Sequence, residues 1–484
     1  MPNISRRQVL LGSASACGAA ILGLAVRAQA ATEHAVRLGV GAAEIMPGFI
    51  TRGIWGYGAA DAPFVLRLQQ GVPTRILVTN DLDEVTTAHW HGLRVPHDQD
   101  GVPYLSQWPI WMGETYAYNF TPKDAGTYWF HPHCNTQEQI ARGAAGVIVV
   151  QEATDQGFDA DEVLQLRDFR LGADGQFIAF TKPRNALRAG TFGTVITANW
   201  RPEAALIAPA GGLLRLRLAV TDVTRVYRLG VTGAEARVIA ADGHPVTDAY
   251  MITPLQAADG SEAAAVPGAW PLILGPGQRA DLAIAMPQDG QEVTVEMILP
   301  GNKRLVVARI RATGAGRGRT IADLRPLPAN PVAIPDLDAA EQIEFTVGWT
   351  PEGTPGTSGV CGDTPFRFWS INRKLWPGEG APDPSDPQAP LATLTLGKSY
   401  ILRIFNETEN LHPIHLHGMT FRLLSSNRRV VPPVWGDTAL LQAHETVEVA
   451  LVADNPGDWV FHCHVIEHQK TGLAGLIRVV AAEI

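Results

Sequence analysis

At 484 residues the chain is long for one domain and suits two to four. Charged residues make up 18% and hydrophobic ones 46%, which indicates a well-filled globular core. The formal net charge is −9, with no basic cluster after the first thirty residues, so nucleic acid and an anionic membrane surface are both disfavoured as partners. Forty-eight glycines and thirty-five prolines point to many turns and short strands, an all-β chain.

In chain order, the first element is a leader. Ser5-Arg6-Arg7-Gln8-Val9-Leu10 is a twin-arginine signature, followed by the small, apolar stretch from Leu11 to Val26 and an Ala28-Gln29-Ala30 cleavage site. Cleavage is expected after Ala30, which makes 1–30 a signal peptide, and a retained anchor is the weaker reading because the apolar run is short. The twin-arginine machinery exports folded proteins, so the implied destination is the bacterial periplasm or the exterior. The sequence has no other long apolar run, and stable membrane insertion is not expected.

Three units then repeat one pattern of alternating strand, turn, alternating strand and polar stop. The first joins Phe64-Val65-Leu66-Arg67-Leu68 to Arg75-Ile76-Leu77-Val78-Thr79-Asn80, and the second surrounds Leu213 to Leu218. The third joins Thr393-Leu394-Thr395-Leu396 to Tyr400-Ile401-Leu402-Arg403-Ile404-Phe405-Asn406. Three such units imply three related β-sandwiches, with expected boundaries at 31–155, 156–325 and 326–484. The Gly/Pro/Ala-rich stretch from Thr313 to Ala340 reads as the link into the last.

Histidines cluster in the first and third units only: His89-Trp90-His91-Gly92, His131-Pro132-His133, His412-Pro413-Ile414-His415-Leu416-His417, and His462-Cys463-His464 with His468. Only four of the fourteen histidines, His34, His97, His244 and His444, lie outside them. Side chains alternate along a strand, so His462 and His464 should face one way and Cys463 the other. Cys463 with His468 and His412 makes the His2Cys set of a blue copper site, while the flanking histidines face a second, all-imidazole centre.

These four motifs resemble the multicopper oxidase family, in its three-domain, laccase-like bacterial branch, over essentially the whole chain after the leader. The resemblance implies three consecutive cupredoxin-like Greek-key sandwiches and four copper ions. It makes His412, Cys463 and His468 the type 1 ligands, His89 and His415 the type 2 ligands, and His91, His131, His133, His417, His462 and His464 the ligands of the type 3 pair. It also implies an oxidoreductase that takes single electrons from a small molecule or metal ion and reduces dioxygen to water. Phenols or aromatic amines are the expected donors. A metal-ion oxidase for Cu(I), Fe(II) or Mn(II) is the nearest alternative, and a copper-free envelope or cell-division scaffold is the alternative outside enzymes. Seven scattered methionines make a dedicated cuprous oxidase less expected, whereas Trp369, Trp376 and Trp435 lie in segments that could border the type 1 site.

Several positions depart from the family pattern or refine it. Leu473 stands where many relatives carry the axial methionine, which should raise the type 1 potential. Asp100, in Gln99-Asp100-Gly101, matches the acid near the type 2 copper, although Asp-Gly also reads as an ordinary turn. Many bacterial relatives place glutamate directly after the last histidine; here it is Gln469, and the acid is displaced to Glu467. Asp437 resembles a residue near the type 1 site that can hydrogen-bond a ligand imidazole. Cys134 and Cys361 either form a disulfide or remain two buried thiols.

Overall fold

The computed structural model describes residues 31–253, 268–351, 361, 366–374, 376 and 389–482. The arginine pair and the expected cleavage site lie outside the described residues. Within them the strands segregate by chain segment into three pairs of sheets. Strands between 32 and 151 form a four-stranded and a three-stranded sheet, those between 160 and 313 a seven- and a five-stranded sheet, and those between 341 and 480 a six- and a five-stranded sheet.

Each pair closes on its own core. Ile76, Val78 and Tyr118 from one sheet meet Leu66, Phe130 and Ile148 from the other in the first sandwich. Leu216 and Leu282 meet Val295 and Ile310 in the second. Ile404 and Val449 meet Ile414, Phe461 and Ile477 in the third. Burial of these alternating apolar faces is the main driving force for each layer pair.

The three segments repeat a topology as well as a pattern. Thr32–Met46 pairs parallel with Thr74–Asn80, Ala160–Phe169 with Leu213–Val220, and Glu341–Trp349 with Ser399–Asn406. In each segment the preceding short strand, Phe64–Gln69, Ala204–Pro209 or Ala392–Thr395, pairs parallel in the opposite sheet with the segment's last strand. The expected strand–turn–strand units are therefore crossings between the two layers rather than hairpins, which is how the chain changes sheets in a Greek key. All three consecutive β-sandwiches expected from the sequence are present.

The middle unit departs from simple alternation. Every residue of Leu213–Val220 is buried, including Arg215 and Arg217. Arg215 is neutralised by Asp281 of its own sheet and by Glu152, and Arg217 by Asp161 and Asp281 of its own sheet, while Arg217 also donates to the Thr127 hydroxyl of the first sandwich. Polar alternation along this strand marks an interface between sandwiches instead of a solvent face. The link from 313 to 340 carries no strand beyond Thr313, but Asn330 in it is tied to the carbonyls of Ala125 and Gly243.

Cys134 and Cys361 form a disulfide that joins positions 227 residues apart, which decides between the two readings left open by the sequence. The bond ties the first sandwich to the third immediately beside His133.

Candidate metal centres

Two antiparallel strands of the third sandwich, His412–Leu416 and Gly457–Cys463, set the register from which everything follows: Ile414 lies opposite Cys463 and His415 opposite His462. Side chains directly across an antiparallel pair share a face. Parity then sends His412 and Cys463 into the sandwich core and His415, His417 and His462 out of it. The His468 ring comes back to the Cys463 face from the short helix Ile466–Lys470.

On the core face, Cys463 Sγ lies 3.6 Å from Nδ1 of both His412 and His468, and those two nitrogens are 3.1 Å apart. Such a triangle accommodates one ion with bonds of about 2.0–2.3 Å to nitrogen and sulfur. The remote nitrogens are fixed, since His412 Nε2 meets the Thr408 hydroxyl and His468 Nε2 donates to the carbonyl of Arg188 from the middle segment. Burial pushes the Cys463 thiol well above its usual range and lowers His468 to about 3, leaving neutral imidazoles beside a thiol that only a bound cation would convert to thiolate. Leu473 is fully buried in the same core, and its carbonyl accepts from the Cys463 amide.

Across the strand, the first sandwich supplies the rest. His89 and His131 form an isolated antiparallel bridge, which sets His91 and His133 beside them. The His89 ring stacks on His417 at 3.8 Å and the His91 ring on His415 at 3.7 Å. His133 packs against His462 and His131 against His464. Overlapping triplets of ligand atoms, His89/His415/His417, His89/His91/His131 and His133/His417/His462, merge seven imidazoles into one buried cluster, which His464 joins through ring contacts with His91 and His131.

One nitrogen of each of several rings is held while the other is left bare. His89 Nδ1 donates to the Asp100 carbonyl, His131 Nδ1 to the Pro132 carbonyl, His415 Nδ1 to the Asp437 carbonyl, and His91 Nε2 to the Asp437 carboxylate. These contacts fix the tautomers, so His89 Nε2, His91 Nδ1, His131 Nε2 and His415 Nε2 carry lone pairs; buried there, they have no protein partner, and neither does either nitrogen of His464. Each unpaired buried polar atom costs about 1–3 kcal/mol, and a fold accumulates so many in one place only around a guest that satisfies them. Burial lowers the pKa of His91, His131, His415, His417, His462 and His464, so the rings are neutral ligands at neutral pH. The donor set fits copper at both centres: thiolate plus imidazoles at one, imidazoles alone at the other.

The acids sort differently from the sequence reading. Asp100 sits at the cluster: its Oδ2 accepts from His417 Nδ1 at 2.8 Å and its Oδ1 lies 3.2 Å from His89 Nδ1. The Asp-Gly turn is real too. Gly101 has φ +81°, and a Cβ there would lie 1.9 Å from the Ala88 carbonyl oxygen, so the turn and the acid's placement are one feature. Asp437 was expected near the Cys463 site, and the structure corrects this. Because Thr438 pairs with His415 and Leu441 with His412, Asp437 falls at the other end of its strand, against His91 and His415. Burial alone would raise its pKa, but Arg279 and His91 hold it well below the carboxylate range.

Glu467, the displaced acid, has a direction that the sequence leaves open and the structure supplies. Its carboxylate accepts from the amide and hydroxyl of Thr191 in the middle segment, away from the histidine cluster. Two residues further along the same helix the direction has turned by about 200°, and Gln469 Nε2 is the group that approaches His133 Nε2, at 3.4 Å. Among the three tryptophans, Trp369 borders the Cys463 site, 5.0 Å from the His412 ring and 4.6 Å from that of His468. Trp376 packs with Val102 and Val460, and Trp435 lines a separate cavity.

Sequence reasoning missed the middle segment's contribution. Arg279 is buried and clamps Asp437 with both terminal nitrogens, at 2.9 and 2.6 Å. Gly92, directly after His91, has φ +85°, and a Cβ there would meet both members of this pair at 2.4 and 2.6 Å. Nothing near Arg279 in the sequence marks it, since its partner is 158 residues away.

The description "multicopper oxidase" belongs to the two family models that match, at 49–155 and 362–483. A multi-copper oxidase from Pseudomonas thermotolerans is 40% identical, with 93% of this chain and 100% of that one covered and a TM-score of 0.79. Multicopper oxidase MmcO of Mycobacterium tuberculosis is 28% identical over 86% of this chain and 81% of its own length. Laccase-1 of Fomitopsis schrenkii is 26% identical over 82% of this chain and 77% of its own.

Proposed function

The chain belongs to the multicopper oxidase family, whose members are copper oxidoreductases with dioxygen as acceptor, and on that premise we propose that it is a laccase-like oxidase of phenols or aromatic amines. Four copper ions are proposed: one type 1 ion held by His412, Cys463 and His468, one type 2 ion by His89 and His415, and a type 3 pair by His91, His131, His133, His417, His462 and His464. Bound there, copper supplies one-electron chemistry at the first site and the four-electron reduction of dioxygen at the others.

The chain's own residues do the rest. Two peptide bonds join Cys463 to His462 and His464, a covalent path between the centres. Asp100 holds His417 and His89 and is placed to carry protons at the cluster edge. The proposed domains are 31–155, 156–325 and 326–484. Export by the twin-arginine route to the periplasm or beyond is supported by Ser5 to Leu10, and the Cys134–Cys361 disulfide suits an oxidising compartment.

The observation that carries the donor reading is a cavity of about 390 Å³ walled by Phe180, Phe366, Phe368 and Pro183, with Glu467 and Lys470 on its lining. An aromatic ring fits those walls and a hydroxyl or amine has Glu467 to bond, one residue from His468. The test is oxygen uptake by the copper-loaded protein with a simple methoxyphenol as sole donor. Uptake without peroxide is expected; uptake only with Cu(I), Fe(II) or Mn(II) would replace this reading with that of a metal-ion oxidase.

Leu473, at the place of the family's axial methionine, is proposed to offer no further ligand to the ion that His412, Cys463 and His468 would hold, so that the cuprous form would be favoured. Leu473→Met conserves volume and is expected to lower the type 1 potential in a redox titration followed at the blue band; an unchanged or raised potential would refute the axial placement.

A further inference from the structure

Gln469 removes an acid from one side of the histidine cluster, and the opposite side has a buried acid of its own. Asp242 and Gly243 form the two-residue turn between the strands Ala236–Ala241 and His244–Ile252, with Asp242 at φ 45°. Aspartate in such a turn normally points to water. Here it is 4% exposed and turned inward, its Oδ1 accepting from the Arg279 amide at 2.8 Å and its Oδ2 lying 3.4 Å from the Thr438 amide.

The same carboxylate lines a cavity of about 320 Å³ between the middle and third sandwiches, with Tyr250, Trp270, Arg429 and Trp435. The cavity reaches the surface at Val430, which is 81% exposed. At roughly 10–15 Å³ per probe-sized water it holds a chain of several. On its inner side Thr438 Oγ1 stands 2.8 Å from Asp437 Oδ1, 3.3 Å from His91 Nε2 and 3.2 Å from His415 Nδ1.

We propose that Asp242 is the proton-loading group of the histidine cluster, taking protons from water in this cavity and passing them across Thr438 to the side of the cluster held by Asp437. The proposal rests on the oxidase reading above. Reduction of one dioxygen to two waters consumes four electrons, which the donor supplies, and four protons, which must come from solvent. In each loading step the Asp242 O–H bond breaks as its proton forms an O–H bond on cavity water, which passes one on to the Thr438 hydroxyl as that hydroxyl releases its own proton inward, to end on the oxygen being reduced to water, and solvent reprotonates the carboxylate through the cavity.

The charged and titratable groups facing Asp242 are Arg279 from its own sheet, Asp437 from the third sandwich, and Tyr250 and Arg429 on the cavity wall. Burial raises the Asp242 carboxyl, Arg279 restrains the rise, Asp437 adds to it, and the result is about 7. An acid poised there exchanges protons with neutral water in both directions, as a relay requires. Its acid form prevails below that pH, so proton supply falls as pH rises through it.

Asp242→Asn is the test, and asparagine suits the same turn. In the copper-free protein, infrared titration should show a protonated carboxyl that ionises near the wild-type value of 7 and is missing from the variant; Asp168, the other buried carboxyl raised to about 7, is the internal control. In the copper-loaded protein, kcat for oxygen uptake should fall roughly 10- to 100-fold at unchanged donor KM, and the alkaline limb of the pH profile should disappear. Asp242→Glu should restore most of the rate with a displaced limb and a displaced infrared band, and it carries the test if the asparagine variant does not fold. A fully copper-loaded Asp242→Asn protein with the wild-type rate and pH profile would overturn the proposal, as would an Asp242 that stays ionised throughout. Failure of the unaltered protein to consume oxygen with every donor would overturn the oxidase reading and the delivery role together, whereas uptake indifferent to Asp242 would remove the delivery role alone.

Discussion

Cys463→Ser is expected to abolish the blue absorption and to cut donor oxidation by on the order of a thousandfold, about 4 kcal/mol of barrier, while the histidine cluster still loads. Serine keeps the shape of cysteine with a smaller heteroatom, a loss that a packed core absorbs, so the pairing of Ile414 with residue 463 should persist. What is lost is chemical. A buried serine hydroxyl does not ionise, and as a hard, neutral oxygen it offers neither the soft anionic ligand nor the covalent sulfur path to His462 and His464. Metal analysis should show one copper fewer per chain, with the paramagnetic signal of the histidine cluster retained. A blue band surviving the substitution would remove Cys463 from the type 1 site.

Arg279→Leu has the next largest expected effect, roughly 3–5 kcal/mol of stability, read as a lower midpoint in chemical denaturation. Arg279 is fully buried, clamps Asp437 and donates to the carbonyls of Thr127 and Gly277, so its removal strands an ionised carboxylate and leaves Asp242 without its nearest cation. Those contacts reach all three sandwiches through one side chain. The double variant Arg279→Leu, Asp437→Leu should regain part of the stability, because removing both charges avoids the stranded one. It should bind copper less well than the parent, since the Asp437 carboxylate also fixes the tautomer of His91, whereas His415 keeps its bond to the main-chain carbonyl of residue 437. An Arg279→Leu protein as stable as the parent would mean that Asp437 takes up a proton at little cost.

The sequence made the all-β fold legible through period-two strands, because their apolar faces close three separate cores. It also made every clustered histidine legible, because parity along a strand is enough to place His462 and His464 opposite Cys463. Long-range reach was not legible. Arg279 and the Arg188 carbonyl come to the two centres, and Asp242 and Thr191 to the residues around them, from a middle segment without a single histidine motif, and local pattern says nothing of pairings across 158 residues. Asp437 is legible as an acid but not in its place, which depends on a strand register, and the direction of Glu467 is not legible at all, because two steps along a helix nearly reverse a side chain's direction.

The disulfide has a bearing on how the molecule matures. Of the three cysteines among the described residues, two are joined in a disulfide and the third is a buried free thiol. Thiolates, not thiols, carry out exchange. Burial in the third core keeps Cys463 protonated, so it is chemically silent toward Cys134 and Cys361 once that core has formed. Packing the strand that bears Cys463 before the cross-link closes would therefore keep the three sulfurs correctly sorted.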